Sequence, residues 1–308
     1  HKGASFKSTS TLKMASLRVN PVPAIKKLEV ASRNLVNTRM LGSYKSVFKG
    51  RGLEFESYRN YTELDDASLI DWKASIRGND LLVKEFVEER NINVFFLIDC
   101  SSTMVFGSGS KLKNEYAAEL ASSLCYAVLQ AGDSVGYALF SDKVIKKIPP
   151  ARGPRQFFML SKALVNSSNY GGGYDLGAAL KFLMSYINQS SVVIIISDFI
   201  GLKGNWQKYI KMMANKYDMI GIMVRDVRDR ILPDVASQII MTDPYSNKQV
   251  LVRPSEVRDK FARYVKAQEN AVQDVFVKSG LNFVSLSTDK PFVKPIMDLF
   301  MRRKRKFR

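Results

Sequence analysis

The sequence predicts an α/β protein: a doubly wound, mostly parallel central sheet with helices on both faces, preceded by a smaller, partly β module. Three observations carry this expectation. From residue 93 onward, short apolar runs alternate with helix-length segments, the order that builds a parallel sheet under helical cover. Two runs, FFLI at 95–98 and VVIII at 192–196, are apolar without alternation, as strands buried on both faces must be. Both end in an acid, Asp99 directly and Asp198 after Ser197.

The elements follow in order. Residues 1–20, rich in Ser, Thr and Lys, read as a disordered basic tail. Residues 21–39 fit a helix with Ile25, Leu28, Val30, Leu35 and Val36 on its apolar side. Residues 40–92 are punctuated by Gly42, Gly50 and Gly52 and mix aromatics with charges without helical period, so 21–92 is expected to be a helix followed by an irregular, partly β module. The main domain is expected over 93–301. Its strands are predicted at 93–99, 134–140, 191–198, 218–226 and 281–288, with 143–149 the hairpin partner of 134–140. Helices are predicted at 112–130, 156–165, 176–187, 205–215, 255–278 and 292–301, and a short hairpin at 239–252 turns near Asn247 and Lys248. RRKRKFR at 302–308 reads as a second basic tail.

Composition narrows the chemistry. The only histidine is His1, which removes Ser-His-Asp triads, Cys-His dyads and histidine-based zinc sites. Cys100 and Cys125 fall at a strand end and inside a helix, a usage that fits a reducing compartment rather than a disulfide scaffold. No run approaches the ~18 apolar residues of a membrane span. The formal charge of +18 is concentrated at the ends: residues 1–50 hold ten Lys/Arg against one Glu, and residues 302–308 hold six basic residues and no acid. The expectation is a cytoplasmic protein whose basic ends either are solvated or meet an anionic membrane surface or an acidic partner. Nucleic acid is disfavoured, because neither end interleaves aromatics for base stacking.

In a doubly wound sheet, functional groups gather outside the carboxyl ends of the strands where strand order reverses. Asp99, Ser101, Thr103 and Asp198 would there form an oxygen-only site suited to Mg²⁺ or Mn²⁺. Taken alone, Ser101 and Thr103 could instead cap the helix after the loop, with Asp99 accepting loop amides. Asp65, Asp66 and Asp71 read as turn and cap residues, and Tyr61 and Trp72 as packing groups between module and domain.

These residues also carry a resemblance. Asp99-x-Ser101-x-Thr103 followed by Met104, with Ser197-Asp198 behind a buried strand, resembles the metal-ion-dependent adhesion site of von Willebrand factor type A domains. GRGLEFESYRNY, LDDASLIDWKASIR and LLVKEFVEER resemble the signature of the domain of unknown function 58 family, from about residue 25 to the C-terminus. The resemblance implies a type A-like, Rossmann-like fold and a divalent cation held by Asp99, Ser101, Thr103 and Asp198. It also implies a protein partner that offers a carboxylate, and work alongside a MoxR-type AAA ATPase. Two departures stand out. The family's third loop reads G-G-T-D-L, its threonine a ligand, whereas this chain has Gly172-Gly173-Tyr174-Asp175-Leu176. Tyr174 can cover the site, ligate from a shifted backbone or abolish binding, and Asp175 can compensate only by turning inward. The family's G-D-D-x-R becomes Leu64-Asp65-Asp66-Ala67-Ser68.

Other signals fail on inspection. VFGSGSK at 105–111 lacks the G-K-[ST] of a phosphate-binding loop. An aspartyl-phosphate enzyme needs a second carboxylate two residues after its nucleophile, and Ser101 stands there. The leading expectation is therefore a non-enzymatic interaction or adaptor module. A metal-free scaffold of the same fold and an Mg²⁺-dependent phosphatase-like hydrolase using Asp99 are the alternatives.

Overall fold

The computed structural model describes residues 22–36, 38–48, 54–63, 65–78, 80–87, 92–187 and 191–306. The tail expected over 1–20, together with Gly50, Gly52 and Leu64, lies outside these residues.

Two helices open the described chain where one was expected over 21–39: α1 (Val22–Leu35) and α2 (Thr38–Phe48). α1 buries Ile25, Leu28 and Ser32, while Val30 faces solvent at 52% exposure. α2 sets Met40 and Tyr44 in the main core with Leu41 and Val47 packed against it, a helical spacing of apolar groups inside a stretch expected to lack one. Beyond it, β1 (Glu54–Asn60) pairs antiparallel with β2 (Leu82–Val87), and between them lies the short helix α3 (Trp72–Gly78). The carboxylates here act as the sequence suggests. Asp66 accepts from the Ser68 amide, Asp71 from the Lys73 and Ala74 amides, and Asp65 pairs with Arg59. Trp72 does not pack between module and domain: it is 62% exposed.

The remaining elements are β3 (Asn93–Asp99), α4 (Lys113–Gln130), β4 (Ser134–Phe140), β5 (Val144–Ala151), α5 (Pro154–Val165), α6 (Leu176–Tyr186), β6 (Ser191–Ser197), α7 (Trp206–Ala214), β7 (Asp218–Arg225), the one-turn α8 (Val227–Arg230), the hairpin β8 (Ile239–Thr242) and β9 (Gln249–Val252), α9 (Pro254–Lys278), β10 (Asn282–Ser287) and α10 (Val293–Lys306). Strand order in the central sheet is β10-β7-β6-β3-β4-β5, all parallel except β5 against β4. This is the expected doubly wound α/β architecture.

The two faces of the inner strands feed separate cores. From β3, Val94, Phe96 and Ile98 pack with α2, α4, α5 and α10, while Phe95 and Leu97 pack with α6, α7 and α9. Burial on both sides explains why β3 and β6 show no polar alternation. α10 extends through Lys306, past the expected end at 301. Arg and Lys are good helix formers, and Arg303 is buried in an ion pair with Asp218 at the start of β7.

Candidate functional site

The chain runs from β3 outward through β4 to one edge, then returns to β6 on the other side of β3 and continues outward through β7 and β10. The order therefore reverses between β3 and β6, and ligand crevices form outside the carboxyl ends of strands at such a point. Asp99 ends β3 and Asp198 follows β6, which pair in register through Ile98 and Ile196. The two carboxylates that the sequence singled out thus lie at the same sheet edge, near enough for the charge of Asp198 to act on Asp99, and both without solvent exposure.

Asp99 accepts from the Ser101 amide at 2.8 Å through Oδ1 and from the Ser197 hydroxyl at 2.7 Å through Oδ2. Among the described residues no cation pairs with it. Burial, and then the neighbouring negative charge of Asp198, push its carboxyl above the ordinary range. Ser101 and Thr103 lie just beyond, buried, with their hydroxyl oxygens 3.1 Å apart. Ser101 stands at the N-cap position of the short 3₁₀ turn Ser102–Met104, but its side chain bonds no amide there. Its hydroxyl meets that of Thr103 instead, while Asp99 accepts a loop amide as the capping alternative expects.

Tyr174 points into the core against Phe140, with ring centroids 5.8 Å apart, and its hydroxyl lies 3.0 Å from Ser197 Oγ. Ser197 spends its one proton on Asp99 and accepts from the Phe199 amide, so the tyrosine donates to Ser197. Its role is to hold the serine that holds Asp99. Asp175 does not turn inward. Its exposed carboxylate caps α6 through the Ala178 amide at 2.8 Å, because the unpaired amides of a helix start recruit the nearest acceptor.

Two residues at the site carry no signal in the sequence motifs. Lys113, 1% exposed, places its ammonium 2.7 Å from Asp198 and 2.9 Å from Asp229. A lysine in the first turn of α4 opposes the helix dipole, and that misfit is the one hint the sequence offers. Asp198 Oδ1 meanwhile accepts from the Ile200 amide at 2.9 Å, so both of its oxygens are engaged. The second residue is Tyr245, from the loop between β8 and β9. Its hydroxyl donates to the Ile200 carbonyl at 3.1 Å and lies 3.3 Å from Thr103 Oγ1. Gly201, at φ +82°, makes room for it: a Cβ there would meet the Tyr245 ring at 2.9 Å.

Residues 57–271 match the family described as "Protein of unknown function DUF58". The chain belongs to the DUF58 family. Over 286 residues it is 24% identical to the uncharacterised protein Rv1480 of Mycobacterium tuberculosis strain H37Rv, covering 92% of this chain and 89% of that protein. It is 32% identical over 102 residues to the uncharacterised protein YeaD of Bacillus subtilis, covering 33% of this chain and 23% of that one. Among solved structures it is similar to a conserved hypothetical protein, BatB, from Bacteroides thetaiotaomicron (TM-score 0.49, 15% identity, 70% of this chain and all of that one). It is also similar to the VWA domain of SpRpn10 (TM-score 0.42, 10% identity, 68% of this chain and 95% of that one).

The donor set can be tested against the cation that the motif implies. Among the described residues no group of three or more His, Cys, Asp or Glu side chains is placed to hold a metal, so an ion here depends on hydroxyls plus Asp99. Those groups fit. The Ser101–Thr103 oxygen spacing of 3.1 Å is close to the edge of about 3.0 Å that adjacent ligands span around a six-coordinate Mg²⁺ with bonds of ~2.1 Å. Asp99 is a buried carboxyl lacking a countercharge, whereas Lys113 already serves Asp198. At 105–111, which lacks the phosphate-loop pattern, the Ser108 amide and hydroxyl go to Asp226, and Lys111 goes to Glu119. Among the described residues no helix is long and apolar enough to cross a membrane.

Proposed function

We propose that this DUF58 chain is a non-enzymatic protein-interaction module whose crevice between β3 and β6 binds a partner's carboxylate through a divalent cation. The observation that carries the reading is the buried Asp99, without a countercharge, beside the paired hydroxyls of Ser101 and Thr103. These three residues would hold Mg²⁺ or Mn²⁺, and Asp198 would act from behind, its charge balanced by Lys113. When bound, the ion supplies a hard positive charge that an incoming carboxylate can neutralise. Ser197, steadied by Tyr174, fixes the Asp99 carboxylate in place, and the Ser101 amide fixes its second oxygen. The family resemblance makes a MoxR-type AAA ATPase the partner to test first.

Against hydrolysis, the position two residues after Asp99 is Ser101 rather than a second carboxylate, and the thiol of Cys100 is buried and pushed well above its ordinary pKa. A thiol nucleophile needs an activating base. The test is calorimetric titration with Mg²⁺ and Mn²⁺. The expected result is saturable binding that Asp99→Ala abolishes. Absence of binding at millimolar metal overturns the metal-bridged reading and leaves a metal-free scaffold. Turnover of a phosphate ester that Asp99→Asn removes would instead establish the hydrolase.

A further inference from the structure

The third loop of this chain carries no hydroxyl at the site, because Tyr174 turns into the core toward Ser197. A third hydroxyl nevertheless arrives from elsewhere. Tyr245 stands 142 positions beyond Thr103 in the chain, on a hairpin that is hydrogen-bonded to no strand of the central sheet. Its oxygen lies 3.3 Å from Thr103 Oγ1, which lies 3.1 Å from Ser101 Oγ. The spacing between neighbouring oxygens is therefore similar along all three.

The direction of the phenol is fixed from both sides. Its single proton is donated to the Ile200 carbonyl, so the lone pairs are left for the side that faces Thr103. Its backbone is held by Asp243, whose carboxylate accepts from the Tyr245 amide at 2.9 Å and the Ser246 hydroxyl at 2.6 Å. The turn closes through the Asn247 amide onto the Asp243 carbonyl and the Asp243 amide onto the Lys248 carbonyl, with Asn247 at φ +55°. Behind the ring, Gly201 leaves the space that any side chain would fill. A phenol that keeps its proton is a neutral oxygen donor, of the same class as the hydroxyls of Ser101 and Thr103.

We infer that Tyr245 supplies the hydroxyl oxygen that the third loop lacks, so that the divalent cation is held by Asp99, Ser101, Thr103 and Tyr245. This inference rests on the cation-binding reading above and adds to it a ligand from the β8–β9 hairpin. It also makes the hairpin part of the binding surface, since a partner bonded to the cation must approach beside the loop that delivers Tyr245.

The experiment is a Mn²⁺ titration of the full chain followed by the electron paramagnetic resonance signal of free Mn²⁺, comparing the wild-type chain with Tyr245→Phe. Circular dichroism checks that the variant is folded. Removing one ligating oxygen is expected to weaken Mn²⁺ binding about tenfold. A dissociation constant within twofold of wild type overturns the inference while the cation site stands. Tighter binding by Tyr245→Phe also overturns it, because the phenol would then be an obstruction. No Mn²⁺ uptake by the wild-type chain sinks both the inference and the reading beneath it.

Discussion

Lys113 is the strongest electrostatic commitment in the site, and Lys113→Met is the change that exposes it. The ammonium is 1% exposed and bridges Asp198, at 0%, and Asp229, at 10%. Methionine keeps most of the side-chain volume but leaves Asp198 as a second buried carboxylate without a countercharge beside Asp99. Breaking one side of a buried pair costs about 3–5 kcal/mol, mainly through the stranded partner. Asp229 retains some access to water and the Asp226 amide, so most of the cost falls on Asp198. Asp198→Asn in the Lys113→Met background is therefore expected to recover about 2–4 kcal/mol, because the stranded charge is gone. The assay is urea denaturation of the four proteins of this cycle in the presence of a chelator, followed by far-ultraviolet circular dichroism and tryptophan fluorescence. A cost for Lys113→Met below about 1 kcal/mol, or one of equal size with Asp198 and with Asn at that position, refutes the reasoning.

Two further outcomes follow from contacts elsewhere. Tyr44 of α2 donates to buried Asp133 at 2.8 Å, and Asp133 also accepts from the Ile92 amide at 3.0 Å; Tyr44→Phe is expected to cost about 1.5–3 kcal/mol, as for a hydrogen bond to a charged group, read as a lowered urea midpoint. Gly201→Ala combines a strained φ of +82° with a 2.9 Å contact on the Tyr245 ring; a loss of about 1–3 kcal/mol and a weakened Mn²⁺ affinity are expected, and an unchanged affinity would mean that the ring's position does not matter to the ion.

Much of this molecule is legible from local patterns. Strands buried on both faces declare themselves as unbroken Val, Ile and Phe runs, and β3 and β6 do so while ending at Asp99 and just before Asp198. The hydroxyls two apart after Asp99 leave a cap open in the sequence, and the structure puts Ser101 at the N-cap position of Ser102–Met104 without a capping bond from its Oγ. Where local pattern misled, the cause is physical. Val30 is expected on the apolar side of α1 yet faces water, because at about 3.6 residues per turn it lies opposite the face carrying Ile25, Leu28 and Ser32. α2 lies in a stretch expected to lack helical period although Met40, Leu41, Tyr44 and Val47 follow one; Gly42 reads as a break but sits on the exposed side of the helix. Trp72 was expected to be covered, since a large aromatic in a polar stretch suggests a packing contact, and it is not.

The sequence by itself determined the sheet, its helical cover and the pairing of Asp99 with Ser101 and Thr103, because each depends on neighbours within a few residues or on simple burial. Only the tertiary structure decided which groups stand around Asp99 and Asp198. Tyr174 was diverted into the core, Asp175 was taken by a helix end, Lys113 was brought 85 positions along the chain to Asp198, and Tyr245 was delivered from a hairpin outside the sheet. A lysine in a helix and a tyrosine in a turn have no local signature. Their partners are chosen by the strand order that folds distant segments onto one sheet edge, where a buried charge must find a countercharge or pay the full cost of desolvation.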